Sequence, residues 1–279
     1  MLLFHFTIAL FTDAVILVSY HVPQYQTLLN DLTREEGFYE TATVVFFLAT
    51  AVLALYALAR KGDYNFGRRQ KIILLCVSGL FCVAALEEIS WGQRILNYEA
   101  GRFFLSYNIQ EEVNVHNLVP GVVFNTIVFT IIYLFFIILP LVSVLFFQDR
   151  TCFFLRPMTQ DMPSLDIVLL FLFGVSIHSY RAEYPVEYLS MAIQMACLLG
   201  LAFLIFSRKF WGGTYAIFNF LLLILSIAVF WWHGEILLAE RTGGSDELRE
   251  FVLSYAFFFW LYGWCGRYRA DGRDEAAAC

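Results

Sequence analysis

The chain has 279 residues, of which 60% are hydrophobic and 15% are charged. A soluble domain usually carries about 25% charged residues, so this composition excludes an ordinary soluble enzyme and indicates a protein that crosses a membrane several times. The net charge of −6 provides no basic surface for nucleic acid. We therefore expect the lipid bilayer, and no nucleic acid, as a partner.

Apolar runs of roughly the length that spans a bilayer predict eight helices. Gly121, Ser164 and Pro185 lie where the fourth, fifth and sixth helices should begin, and Pro140 should kink the fourth. The first run contains Asp13, and seven spans remain if that segment does not cross. The predicted fold is an all-α, polytopic transmembrane helix bundle. In chain order, the helices cover residues 2–20, 41–60, 72–92, 121–147, 164–180, 186–207, 214–238 and 247–266.

The distribution of basic residues predicts how the bundle is oriented. Six of the 18 lysines and arginines fall on one side of the predicted spans and the other twelve fall on the opposite side, which is cytoplasmic by the positive-inside rule. Sixteen of the 24 acidic residues fall on the outer side. We expect a single transmembrane domain, residues 1–266, with outer loops at 21–40 and 93–120, and a disordered cytoplasmic tail, residues 267–279.

Polar residues collect where the third, fifth and seventh predicted helices reach the outer surface. These ends and the loop after the third helix carry Glu87, Glu88, Ser90 and Arg94, then His178, Arg181 and Glu183, then His233 and Glu235. In the outer loop, Asn108, Glu112 and His116 are spaced four residues apart and would share one face of a short helix. The sequence therefore predicts an outward-opening pocket of glutamate, histidine and arginine.

Each of these residues also has an ordinary structural explanation. Charged residues near a helix end reach the interface at little cost, and adjacent glutamates lie about 100° apart on a helix, so at most one of Glu87 and Glu88 points easily into a bundle. A histidine such as His178 is often a hydrogen-bonded structural residue. The shared location of these residues favours a real polar site over separate structural roles.

The residue types in the pocket suit a metal centre. Neutral imidazoles with carboxylates bind Zn²⁺ or, with more carboxylates, iron or manganese. A further glutamate could then act as a general base, and an arginine could hold an anionic head group. No HExxH motif is present. The candidate metal ligands are Glu88, His178, His233, Glu112 and His116; the candidate catalytic residues are Glu87, Ser90, Arg94, Arg181, Glu183 and Glu235.

Two stretches carry a family resemblance. The strings EEISWGQR and NIQEEVNVHN, within Leu86 to Leu118, resemble those of an uncharacterised family of bacterial multi-spanning membrane proteins. This resemblance implies a bacterial inner-membrane location and brings no activity with it. The helix ends with Ser90, His178 and His233 distantly resemble the seven-span zinc hydrolases of the alkaline ceramidase and adiponectin-receptor superfamily. Those enzymes have an HxxxH pair in the last helix, which this chain lacks.

Three hypotheses of function follow. The first is a metal-dependent hydrolase or transferase that acts on a lipid or lipid-linked substrate at the outer leaflet. The second is a noncatalytic subunit whose acidic outer surface binds a membrane protein partner and whose polar residues hold the loops together. The third is a proton-coupled transporter. Transport usually requires ionisable residues near the middle of the membrane, and Asp13 is the one such residue here, which weighs against this hypothesis.

Overall fold

The structure is a computed structural model that describes residues 37–60, 62–108, 113–115, 118–119, 121–147, 161–177, 185–208 and 244–269, together with 11, 14, 22, 31–33, 221 and 224–228. Regular structure in this part of the chain is helical, apart from an isolated bridge between Tyr64 and Arg269. The helices are α1 Phe38–Ala59, α2 Arg68–Glu88, α3 Gln93–Leu96, α4 Arg102–Tyr107, α5 Gly121–Ile131, α6 Leu139–Phe147, α7 Leu165–Ser176, α8 Pro185–Arg208 and α9 Gly244–Gly266.

Six of the eight predicted helices match described helices to within a few residues, and the other two, 2–20 and 214–238, lie almost wholly outside the described residues. The starts at Gly121 and Pro185 are confirmed, and Ser164 is the N-cap of α7. By length and composition, three segments of the described chain could cross a membrane: Asp31–Ala59, Arg68–Glu88 and Val123–Leu145. The all-helical fold is confirmed, and the number of spans stays a prediction.

A π-helical segment, Ile132–Ile138, joins α5 to α6 and ends two residues before Pro140. Proline has no backbone N–H, and its ring clashes with the carbonyl group four residues earlier in a regular α-helix. A π-helical turn is wider and shifts hydrogen bonding to the fifth residue back. The π-helical segment therefore lies where the sequence predicts that Pro140 disturbs the fourth helix, and the kink itself stays a prediction.

Contacts divide the chain into two compact units: Met1–Tyr39 with Thr130–Leu253, the first unit, and Glu40–Phe129 with Ser254–Cys279, the second unit. In the first unit α7 has eleven of its twelve residues buried, as expected for a helix that is apolar on all sides. A Cβ added at Gly174 would lie 2.8 Å from Leu253 Cδ2 and 3.2 Å from Val252 Cγ1. Glycine therefore allows α7 and α9 to approach closely.

The first unit also buries a small polar cluster between the π-helical segment and α8. The hydroxyl groups of Tyr133 and Ser190 lie 2.6 Å apart, and Gln194 Nε2 donates to both, at 3.0 and 3.2 Å. Polar side chains that bond across apolar helices typically stabilise their packing by about 0.6 kcal/mol each. We read this cluster as a link between helices.

The second unit has its core around an aromatic stack. Tyr64 stacks on Phe66 at 5.1 Å between ring centroids, and Phe66 stacks on Trp264 at 5.6 Å. The Tyr268 carbonyl accepts a 2.8 Å hydrogen bond from Asn65 N, so residues 267–269, which the sequence placed in the tail, form a turn against the α1–α2 connection. The buried residues of this cluster are Ala54, Ala57, Tyr64, Phe66, Leu74, Leu261, Trp264 and Cys265.

Candidate functional site

The chain leaves α2 through a left-handed turn. The predicted helix extended to residue 92, but α2 ends at Glu88, and φ is +47° at Ser90, +54° at Trp91 and +82° at Gly92. A left-handed conformation costs a residue with a side chain roughly 1–2 kcal/mol, so the turn persists only because its surroundings hold it. The Ser90 side chain is buried, with 0% of its surface exposed, which places it inside this turn and not at an open surface.

Glu87 supplies part of what holds the turn. Its Oε1 accepts a 2.6 Å hydrogen bond from Trp91 Nε1, within the turn itself. Its Oε2 accepts a 2.6 Å hydrogen bond from the Val115 backbone N–H, which is 28 residues further along the chain. Short bonds of this kind to a carboxylate are charge-assisted and stronger than neutral ones. Each oxygen of Glu87 therefore has a structural role, of the kind that the hypothesis of a noncatalytic subunit assigns to the polar residues.

Two further pairs fasten the same loop. Gln93 Oε1 accepts a 2.6 Å hydrogen bond from Val113 N, and buried Asn108 donates from Nδ2 to Oδ1 of buried Asn114 at 2.8 Å. The strings EEISWGQR and NIQEEVNVHN, which carry the family resemblance, are thus bonded to each other. They form one local structure at the carboxyl end of α2, which we call the loop clasp: Glu87, Trp91, Gln93, Asn108 and residues 113–115.

The clasp corrects one expectation about the loop. Asn108, Glu112 and His116 were predicted to share a face of a short helix, but residues 113–115 are not helical. Their backbone N–H groups at Val113 and Val115 bond to the side chains of Gln93 and Glu87 instead of to carbonyl groups of a helix turn. Helical spacing is therefore no longer an argument for pairing Glu112 with His116.

Glu88 continues the buried face of α2. The buried residues of this helix are Leu74, Ser78, Phe81 and Ala85, and their steps of four, three and four residues keep them on one face. A further step of three reaches Glu88, the last residue of the helix, which is half-buried. Of the two adjacent glutamates, Glu88 lies in register with the packed face and Glu87 belongs to the loop clasp.

Glu40 is a second carboxylate at the same level, and the sequence analysis did not single it out. Phe47 of α1 contacts Phe81 of α2 at 5.5 Å between ring centroids, and Ala54 and Leu74, seven residues from each, share the aromatic core cluster. The chain reverses direction between the two helices, so a step back along α1 and a step forward along α2 lead toward the same end. Seven residues in that direction, about 10 Å of helix rise, lead from Phe47 to Glu40 and from Phe81 to Glu88. The two glutamates therefore lie at the same level.

The surroundings of Glu40 fit a polar site rather than a solvent-exposed helix start. Its exposed fraction is 9%, and buried Thr43 lies one turn further along α1. The signal in the sequence was the spacing of Glu40, Thr43, Phe47, Thr50 and Ala54, which alternates steps of three and four as a packed helix face does.

Most of the other predicted site residues lie outside the described part of the chain. Arg94 lies in α3, and only its backbone is described. Among the described residues, no group of three or more histidine, cysteine or acidic side chains is placed to hold a metal ion. The predicted site residues outside the described ranges are Glu112, His116, His178, Arg181, Glu183, His233 and Glu235.

Comparison with known proteins adds no relative. No protein-family model matches the chain, and neither a curated protein nor a solved structure matches it.

Proposed function

We propose that the protein is a multi-pass membrane protein of the bacterial inner membrane, with about eight spans and a cytoplasmic C-terminus, and that it is a metal-dependent hydrolase or transferase. Its substrate is a lipid or lipid-linked molecule at the outer leaflet. The all-helical fold and the three segments that are long and apolar enough to cross a membrane support this setting.

The observation that carries the enzymatic proposal is the shared level of Glu40 and Glu88. Both carboxylates lie on packed helix faces, seven residues beyond the contact between Phe47 and Phe81. Oxygen ligands of this kind, completed by imidazoles, favour iron or manganese, whereas Zn²⁺ more often takes histidine and cysteine. A metal held there would act as a Lewis acid, lowering the pKa of a bound water so that it supplies a nucleophile.

The proposal assigns roles to this chain's residues. Glu40 and Glu88 would hold the metal from α1 and α2, and His178 with His233, or His116, would supply the imidazoles, with Glu112 as a further carboxylate ligand beside His116. Arg94 or Arg181 binds the anionic part of the substrate, because a guanidinium group pairs well with phosphate. Glu183 or Glu235 moves the proton as a general base. Glu87 and Ser90 shape the turn in this proposal, and their catalytic role stays a prediction.

The second candidate function is a noncatalytic subunit of a membrane complex. The loop clasp favours it, because Glu87, Gln93, Asn108 and Asn114 are engaged in loop contacts. In that case the polar residues fix an outer surface for a membrane protein partner, and no metal is needed.

Elemental analysis of the purified protein separates the two functions. The enzymatic proposal expects about one metal ion per chain, lost in Glu88→Gln, Glu40→Gln, His178→Ala and His233→Ala. Metal should be retained in Glu99→Gln, which removes an exposed carboxylate beyond α3. The enzymatic proposal fails if the wild-type protein, purified without chelators, contains no metal while the variants assemble normally, and the subunit is then favoured.

A further inference from the structure

A groove lies at the opposite end of α2 from the loop clasp. Its volume is about 460 Å³, and it is lined by Leu58 of α1 and by Arg68, Lys71, Ile72 and Leu75 of α2. This volume is within the range of about 300–1,000 Å³ that is typical of small-molecule sites. All five residues are described, and all belong to the second unit.

The α2 residues of the groove change from basic to apolar along one helix face. Arg68, Lys71, Ile72 and Leu75 are spaced at i, i+3, i+4 and i+7, which places them on one side of the helix. Ile72 and Leu75 are 53% and 62% exposed, which is far more than a protein core would leave. A ligand that fits this face has an anionic group beside Arg68 and Lys71 and a hydrocarbon part along Ile72 and Leu75.

The positive charge of the groove is not neutralised by the described part of the chain. The first turn of α2 contains no acidic residue, and Asp63 in the preceding connection pairs with Arg60 at 2.7 Å. Neither Arg68 nor Lys71 forms an ion pair with another described residue. An arginine fork and a lysine ammonium group together suit a phosphate, which the fork can bind through two hydrogen bonds.

The wall of the groove is held in place by the core. Leu58 packs against the cluster that contains Ala54, Leu74 and Trp264, so it is positioned before any ligand binds. A preformed wall lowers the ordering cost of binding. The Leu58 side of the groove is therefore preformed, whereas its four α2 residues are exposed.

We propose that this groove binds an anionic phospholipid of the inner leaflet, with its phosphate on Arg68 and Lys71 and its acyl chains along Ile72 and Leu75. The length and composition of α2 fit a membrane crossing, so the basic start of the helix would lie at head-group level and the apolar residues one to two turns deeper. The proposal shares the membrane setting with the proposed function but is independent of any metal or catalysis at the other end of α2.

The test is a lipid titration of the full-length protein in detergent, followed by native mass spectrometry. Phosphatidylglycerol should bind at least tenfold more tightly than phosphatidylcholine. Arg68→Gln with Lys71→Gln should weaken phosphatidylglycerol binding about 30-fold, or about fivefold for each cation. The charge-conserving pair Arg68→Lys with Lys71→Arg should keep most of the affinity.

The matched control is Arg69→Gln, compared with Arg68→Gln alone; it removes one exposed cation near the same end of α2 but outside the groove. This variant should bind phosphatidylglycerol within twofold of wild type. An equal loss in the control and in the groove variant would mean that lipid responds to the net charge of the surface, and it would overturn the proposal.

A second pair of measurements identifies the occupant. Ile72→Ser with Leu75→Ser should weaken phosphatidylglycerol binding and leave any binding of inorganic phosphate unchanged, because only the lipid contacts the apolar part. If inorganic phosphate or an octaglutamate peptide displaces phosphatidylglycerol at equal concentration, the groove recognises a free anion or an acidic segment, and the lipid proposal is wrong. Metal content, measured in the same samples, reports separately on the proposed function.

Discussion

Replacing Glu87 tests whether the loop clasp holds the chain as the structure indicates. Glu87→Ala removes the acceptors of two 2.6 Å hydrogen bonds, from Trp91 Nε1 and from Val115 N. Hydrogen bonds to charged groups contribute about 1.5–3 kcal/mol, but both of these are exposed to solvent, so we take about 1 kcal/mol for each. The docked loop should therefore lose about 2 kcal/mol, which corresponds to an increase of about 30-fold in the opening equilibrium.

Hydrogen exchange followed by mass spectrometry measures this opening directly. A peptide that contains Val113 and Val115 should exchange about 30-fold faster in Glu87→Ala. Trp91→Phe, which keeps the ring and removes one donor, should have a smaller effect of about fivefold. Glu99→Ala serves as the control and should leave the rate unchanged, because Glu99 is exposed and outside the clasp. If the peptide exchanges at the wild-type rate in Glu87→Ala, Glu87 does not fasten the loop, and it becomes a candidate for chemistry again.

Two glycines give further predictions, each checked by thermal unfolding in detergent. Gly92→Ala should lower the unfolding midpoint by about 2–8 °C, because a left-handed φ of +82° costs alanine about 1–2 kcal/mol. Steric crowding is not the cause, since the added Cβ would lie 3.8 Å from Leu96 Cδ1. The control Gly79→Ala, in open space within α2, should cause no such loss, and equal midpoints for Gly92→Ala and wild type would contradict the strained turn. Gly174→Ala should lower the stability by about 1–3 kcal/mol through overpacking, since its Cβ would lie 2.8 Å from Leu253 and 3.2 Å from Val252. The control is Gly263→Ala, whose Cβ would have no neighbour within 4 Å. An equal loss of stability in both variants would exclude the close approach of α7 and α9 as the cause.

The helices could be predicted from the sequence because their signals are local. Long apolar runs set their lengths, and Gly121, Ser164 and Pro185 lie at or beside the observed starts of α5, α7 and α8. The turn after α2 could not be predicted in this way. Left-handed φ values at Ser90 and Trp91 run against the preference of both residue types, and they depend on hydrogen bonds to a loop more than 20 residues away.

The choice between Glu87 and Glu88 lay partly within reach of the sequence. Starting from Leu74, steps of four, three, four and three residues lead through Ser78, Phe81 and Ala85 to Glu88, so the helical period alone favours Glu88 as the inward residue. The period does not reveal what Glu87 contacts. Its partner Val115 donates through the backbone, and any residue other than proline offers the same donor, so the sequence gives no signal of that bond.

The strain of the turn and the position of Glu88 have one physical explanation. Had α2 continued to residue 92, as the sequence predicted, Trp91 would have extended the same face as Glu88, three residues further on. The left-handed residues instead redirect the chain, and the indole N–H of Trp91 turns back onto Glu87. The backbone strain at Ser90 and Trp91 is roughly 2–4 kcal/mol. The hydrogen bonds of Glu87 and Gln93 contribute about 1 kcal/mol each, so their combined stabilisation is comparable to the strain. The loop clasp thus ends the helix one residue after Glu87, so that Glu88 is the final residue of the packed face. A substitution that releases the clasp should therefore disturb the level shared by Glu40 and Glu88, although it replaces neither carboxylate.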